Sequence, residues 1–269
     1  MRERWNQILR GIIAVITGLA LGACSTVPVT GRSSLNLIPD AELASMSLTS
    51  YQEFLATAPL SKDTKSIATV RRVGERMAAA TEEYLRGIGR PASFQWEFNV
   101  VDEPETANAW VMPGGKVVVY TGILLIAQDD TGLAVVMGHE IAHIVAQHGN
   151  ERMSQALLTQ LGGAALSVAL SNSPEMTRSL FAASYGAGTQ VGILMPFSRL
   201  HESEADRIGL TLMAIAGYDP RAAVDFWGRM AKQGGPRPPQ YLSTHPAPEN
   251  RIANIQEHLP EALAVYRPR

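Results

Sequence analysis

Cysteine is almost missing: Cys24 is the only one in 269 residues, so the chain can close no internal disulfide whatever its redox surroundings. Charge is thin as well, at 18% of residues and a formal net charge of −2. No basic block suggests nucleic acid, and no acidic tail suggests a partner recruited by charge. No apolar run reaches the roughly 20 residues that a membrane-spanning helix needs, and no internal repeat is visible. What is present is a composition 46% apolar, over a length that suits one domain of about 200 residues plus a leader. That excludes a disordered chain and a polytopic membrane protein.

The leader is read from the first 24 residues. Arg2, Arg4 and Arg10 make a positive start, and an apolar stretch from Gly11 to Ala20 follows. The stretch is too short to span a membrane and has the flanks of a secretory signal peptide. Leu21-Gly22-Ala23-Cys24 resembles a bacterial lipobox, so residues 1–23 are expected to be removed and Cys24 to be lipidated. A plain signal peptide or a short anchor is the alternative. Ser25 after the cysteine resembles sorting to the outer membrane, on its periplasmic side. Residues 24–39 carry Pro28, Gly31 and Pro39 and read as a tether to a domain spanning 40–269.

Within that domain, Leu43, Met46, Leu48 and Leu55 predict a helix from Asp40, capped by Asp40 itself. Ile67, Val70, Val73 and Met77 predict a second between Ser61 and Leu85. Phe94–Val101, Thr106–Val111 and Lys116–Thr121 read as strands, the last two joined by the turn Met112-Pro113-Gly114-Gly115. Thr131–Asn150 reads as one helix. Further helices are expected over Glu202–Ala216, over Pro220–Lys232 with Asp219 as cap, and near Glu249–His258. The fold class is α+β, mainly helical, with a small antiparallel sheet.

The helix over 131–150 carries His139-Glu140-Ile141-Ala142-His143. Positions i and i+4 lie one above the other, so the two imidazoles share a face and suit two of the four positions around a zinc ion. Glu140 beside them can take a proton from a water that the metal acidifies. A chance occurrence on an ordinary helix would leave two bare imidazoles facing a core without a partner. The positions where a longer form of the motif has a glycine and a third histidine hold Ala146 and Gly149, which excludes that class. A later glutamate is the alternative third ligand. Glu202 and Asp206 are four apart and share a face, while Glu204 points elsewhere. In this geometry Glu202 binds the metal and Asp206 accepts an N–H from a ligating imidazole. A solvated acidic helix start is the bland reading of the same residues. His148, His201 and His258 are read as supporting or surface histidines, His201 lying about 100° round the helix from Glu202.

His139-Glu-Ile-Ala-His143 with His148, followed by Glu202-x-x-x-Asp206, resembles the zinc metallopeptidase family of the CAAX prenyl endopeptidase and HtpX. Pro28-Val29-Thr30-Gly31, Asn108-Ala109 with Pro113-Gly114-Gly115, and Thr244-His245-Pro246 with Glu249 and Arg251 are similar to its soluble periplasmic branch. That branch holds the β-barrel assembly-enhancing protease and its short outer-membrane lipoprotein relatives, and the resemblance runs from about Val27 to Ile255. It implies a gluzincin-type metallopeptidase domain with one zinc ion. It places His245 over the metal, as a donor to the oxyanion or as a fourth ligand closing the resting site. It also implies misfolded or unassembled envelope proteins as substrates, an outer membrane reached through the lipid, and the outer-membrane assembly machinery as a further partner.

The expected function is zinc-dependent hydrolysis of internal peptide bonds in such periplasmic and outer-membrane proteins. Glu140 serves as the base, and the strand Asn108, Ala109, Trp110 and Val111 forms the edge of the cleft. The rival is a chaperone-like lipoprotein with little proteolysis, for which Glu140 would be unnecessary. The uncharged stretches 156–169 and 182–197 read as a helical hairpin over the site, with a membrane-dipping hairpin as the alternative.

Overall fold

A computed structural model of the protein describes residues 24–161, 174–185, 198–233, 240–246 and 250–268. At its centre lies helix α4 (Asp130–Val145), numbered here after α1 (Asp40–Leu55), α2 (Thr64–Gly87) and α3 (Thr121–Ala127). Asp129 starts α4 by accepting a hydrogen bond from the Gly132 N–H. Every residue of α4 from Gly132 to Val145 is buried. A helix that is apolar nearly all round has to be enclosed on all sides. The sheet, α2 and α7 (Arg199–Ile215) do this, after α5 (His148–Leu161) and α6 (Pro174–Tyr185). Val73, Met77, Val119, Met137, Ile141, Ile208 and Leu212 belong to the same apolar cluster.

The α4 helix is shorter than the sequence suggests. Its pattern predicts helix to Asn150, but Gln147 takes a left-handed φ of 57° and the chain restarts as α5 at His148. Helix α1 also starts differently: Pro39 is the N-cap, and Asp40 in the first turn instead accepts from Gln147 Nε2 at 2.8 Å.

Strands β3 (Glu97–Val101), β4 (Ala109–Met112) and β5 (Lys116–Tyr120) form a sheet in the order β3-β5-β4. The β4–β5 hairpin is antiparallel and turns through Gly114 and Gly115, with φ of 85° and 87°, where a side chain would be strained. The expectation of an antiparallel sheet fails for β3, which runs parallel to β5. Alternation along a strand reports which face each residue occupies, not the direction of its neighbour.

Residues 24–39, expected as a tether, are folded against the domain. Strands β1 (Cys24–Thr26) and β2 (Ser33–Leu35) pair antiparallel. Val27 and Ile38 are buried, and the N–H groups of Leu37 and Ile38 donate to Ser154 and Asn150 on α5. The Pro and Gly content that suggests a linker serves a tight turn instead, with Val29 and Gly31 both at positive φ.

The last elements are α8 (Ala222–Lys232), α9 (Gln240–Thr244) and α10 (Arg251–Val265). Tyr241 of α9 donates its N–H to the Ala107 carbonyl just before β4. Helix α10 runs past the expected end at His258 and contains Pro260. Of the uncharged stretches, α5 reaches Leu161 and α6 reaches Tyr185; the rest of the expected hairpin lies outside the described residues. Among the described residues no helix is long and apolar enough to cross a membrane.

Helices α4 and α7 meet at two glycines. A Cβ on Gly209 would stand 2.9 Å from the Gly138 carbonyl carbon and 3.0 Å from the His139 nitrogen, both rigid backbone atoms. Gly209→Ala is therefore expected to push the helices apart and cost about 1–3 kcal/mol. Urea unfolding of the purified protein checks this; a midpoint equal to the parent's would contradict the close contact.

Candidate metal centre

The side chains of His139 and His143 from α4, Glu202 from α7 and His245 just after α9 converge in a buried cluster. The Nε2 atoms of His139 and His143 are 3.1 Å apart. Glu202 reaches both, at 3.3 Å from His139 and 3.4 Å from His143. His245 Nδ1 lies 3.3 Å from His139 Nε2 and 3.0 Å from Glu202 Oε1. A tetrahedron with metal–ligand distances of about 2.0–2.1 Å has edges of about 3.3 Å. The donor–donor distances of 3.0–3.4 Å found among these side chains are close to that edge, and all four donors lie within 4.8 Å of one another. Glu202 Oε2 is buried and accepts no well-formed hydrogen bond, although His139 Nε2 stands 3.3 Å from it, as an oxygen reserved for a cation would be. The residues fit a metal ion.

Charge is arranged accordingly. Burial pushes the Glu202 carboxyl up, but the neighbouring His245 and His139 and the hydrogen bonds of the motif histidines pull it well below the usual carboxylate range. Burial works against a charged His139, yet Glu202 and Asp206 outweigh it and raise this group to about 9. His143 goes the other way: burial, with His139 nearby, drives it well below the ordinary imidazole value.

Glu140 is buried beside the cluster without belonging to it. Its Oε1 faces His245 Nε2 at 3.4 Å. The ring of His245 stacks on Tyr241 at 4.6 Å, and the backbone N–H of His245 donates to the Tyr241 carbonyl. Of the two positions the resemblance offers for His245, the geometry matches the fourth corner of the cluster. Asp206 Oδ1 is 2.8 Å from His139 Nδ1, as the shared face with Glu202 predicts. Arg251, which the sequence reading mentions without a role, donates from Nη2 to Asp206 Oδ1 at 2.7 Å and lies over the Trp227 ring.

Of the expected cleft edge, Asn108 to Val111, Ala109 to Val111 lie on β4, an outer strand of its sheet. Asn108 precedes the strand and accepts from the Ala109 N–H through its side chain. Ala109 and Val111 are buried, while Trp110 meets Tyr51 and Phe54 edge-on. Cys24 opens β1, opposite Leu35. His258 takes no part in the cluster. His148 and His201, read as supporting or surface groups, are both buried. His148 Nδ1 stands 2.9 Å from His143 Nδ1, and its Nε2 is 3.0 Å from Glu204. Glu204 does point away from the cluster, but onto this histidine.

Taken together, the enclosed histidine helix, the glutamate helix packed on it and the four-cornered cluster are the arrangement of a metallopeptidase. The chain belongs to Peptidase family M48, whose sequence profile matches residues 66–259. It is 41% identical over 175 residues to mitochondrial metalloendopeptidase OMA1 of Schizosaccharomyces pombe, covering 64% of this chain and 49% of that protein. It is 35% identical over 248 residues to the mitochondrial metalloendopeptidase OMA1 of Bos taurus, covering 88% and 46%. Similarity to the β-barrel assembly-enhancing protease of Escherichia coli is 26% over 267 residues, covering 94% and 53%. The chain spans about half the length of the curated relatives it matches.

These relatives correct the expected localisation. Those at 35–41% identity carry mitochondrial names, and the protease of the expected branch is more distant at 26%. A lipid-anchored position on the periplasmic side of an outer membrane does not stand against that. The resemblance holds for the family and not for the particular branch.

The His148–Glu204 contact has a consequence for acid stability. Burial pushes Glu204 up, but His148, Arg32 and Thr30 more than offset it and hold it at about 2. Burial drives His148 down to about 4, against the pull of Glu204. Both groups then bind fewer protons folded than unfolded, so stability rises with pH. The His148 contribution is lost as pH falls from about 6.5 to about 4, and that of Glu204 from about 4.5 to about 2. Urea unfolding of chelator-treated protein across this range is expected to show a continuous acid-side decline, which Arg32→Ala makes shallower below pH 4.5. A flat profile would contradict the assignment.

Proposed function

We propose that this protein is a zinc-dependent endopeptidase in which His139, His143 and Glu202 hold the ion and Glu140 is the general base. The carrying observation is that four donors, all within 4.8 Å of one another, converge in one buried cluster while the Glu140 carboxylate is held beside them, outside the set. Zinc, when bound, supplies the positive charge that acidifies a water and polarises a peptide carbonyl. Glu140 takes the proton from the attacking water and returns it to the leaving amine. Asp206 accepts the Nδ1 proton of His139 and so keeps Nε2 free to donate its lone pair. His245, the fourth side chain of the cluster, would have to leave it for substrate to enter. Once displaced, its ring is placed to donate to the developing oxyanion.

The substrate class we infer is misfolded or unassembled protein. The outer strand β4, Ala109–Met112, supports it: an open strand edge grips extended backbone by main-chain hydrogen bonds and is indifferent to side chains. A folded neighbour does not present such backbone.

Casein digestion and bound-zinc content of the purified chain test the reading. Glu140→Gln is expected to lower cleavage about 10²- to 10⁴-fold, the usual worth of general-base catalysis, and to keep its zinc. Glu202→Gln is expected to lose both. Cleavage by Glu140→Gln at the parent rate would refute the mechanism. Zinc-loaded parent without peptidase activity on any unfolded substrate would favour a chaperone-like role.

A further inference from the structure

We propose that His148, Glu204 and Arg32 form a positioning arm for His143, and that the N-terminal hairpin is thereby a working part of the metal centre. The inference rests on the reading that His143 is a ligand through Nε2. A ligating imidazole must keep one nitrogen bare and its proton on the other, and the acceptor of that proton sets the tautomer. For His139 the acceptor is the carboxylate of Asp206 at 2.8 Å. Behind His143 stands another imidazole, that of His148, with its Nδ1 at 2.9 Å.

Two Nδ1 atoms this close share one proton, and its owner decides whether His143 can donate its lone pair. If the proton is on His143, then His148 Nδ1 is bare and His148 carries its proton on Nε2. That second nitrogen faces Glu204 Oε2 at 3.0 Å, and an ionised carboxylate only accepts. Glu204 therefore selects the tautomer of His148, and His148 selects that of His143. The direction of the relay leaves His143 Nε2 bare and aimed at the cluster. Without the carboxylate, His148 is free to turn its proton toward His143, which then protonates Nε2 and stops being a ligand.

Glu204 is fixed by the hairpin. Arg32 Nε and Nη2 donate to its Oε2 at 2.9 and 2.7 Å, and the Thr30 hydroxyl donates to its Oε1. The same guanidinium grips Glu151 on α5 with Nη1 and Nη2, at 2.8 and 2.7 Å. Glu151 Oε2 in turn lies 3.2 Å from His201 Nε2, and the His201 ring stacks on that of His148 at 4.4 Å. The ring that carries the relay is thus clamped as well as hydrogen-bonded. Thr30 and Arg32 lie outside residues 66–259, the stretch matched to the family.

The experiment is zinc affinity of the full chain by chelator competition, with circular dichroism and thermal unfolding on each variant. His148→Phe, Glu204→Gln and Arg32→Ala are each expected to bind zinc about 10- to 100-fold more weakly. Links in series do not add, so His148→Phe with Glu204→Gln loses no more than the larger single loss. Asp206→Asn combined with His148→Phe belongs to two separate arms, and there the losses multiply. Arg32→Lys recovers part of the loss, since one ammonium can neutralise Glu204 without gripping both carboxylates. Arg72→Ala, which removes a surface pair with Asp130, leaves zinc affinity unchanged. If buried His148→Phe does not fold, Arg32→Ala still reads the arm from its half-open end, the Arg32 side chain being 22% exposed. Parent-like zinc affinity in folded Arg32→Ala and Glu204→Gln would overturn the arm. So would a multiplied loss in the series double variant. A parent chain that takes up no zinc at all would overturn the metal reading itself, and the arm with it.

Discussion

Glu202 is an ionised carboxylate with a side chain 0% exposed to solvent, and the architecture of the centre answers to that. Removing a carboxylate from water costs several kcal/mol even after the protein relaxes, so compensation must be close and permanent. Here it comes from His139, His143 and His245 within 3.4 Å, with Arg251 at 3.6 Å. His139 and His143 would not reach Glu202 if α7 stood at an ordinary helix-packing distance from α4. The facing glycines, Gly138 and Gly209, let the two backbones touch beside His139, about two turns along α7 from Glu202. A main-chain contact between two helices is thus the condition for an electrostatic one.

The motif and its partner were legible because helical spacing is local. His139 and His143, and likewise Glu202 and Asp206, stand four apart on unbroken helix, and each pair faces where a periodicity of 3.6 puts it. His148 was not legible in the same way. Five residues along a continuous helix would turn it about 140° from His143. The left-handed Gln147 breaks the helix between them and brings the two Nδ1 atoms together. The orientation of Glu204 was readable, but its partner was not, because Arg32 is separated from it by 172 positions in the chain. The sense of β3 and the folding of residues 24–39 were hidden for a related reason: composition and alternation describe a segment, not what it pairs with. The leader pattern pointed to one compartment and the similar proteins to another, since a short targeting motif says little about the descent of the domain that follows.

Each motif histidine is backed by a carboxylate held by an arginine. For His139 the pair is Asp206 and Arg251; for His143, through His148, it is Glu204 and Arg32. One arginine comes before the first long helix and the other opens the last. The centre consequently draws on segments far apart in the chain, from Arg32 to Arg251. While the ribosome is still adding residues, His139 and His143 can already sit on a formed helix, but Asp206 has no counter-charge until residue 251 has emerged. Completion of the His139 side of the centre is thereby tied to a residue 112 positions further along the chain.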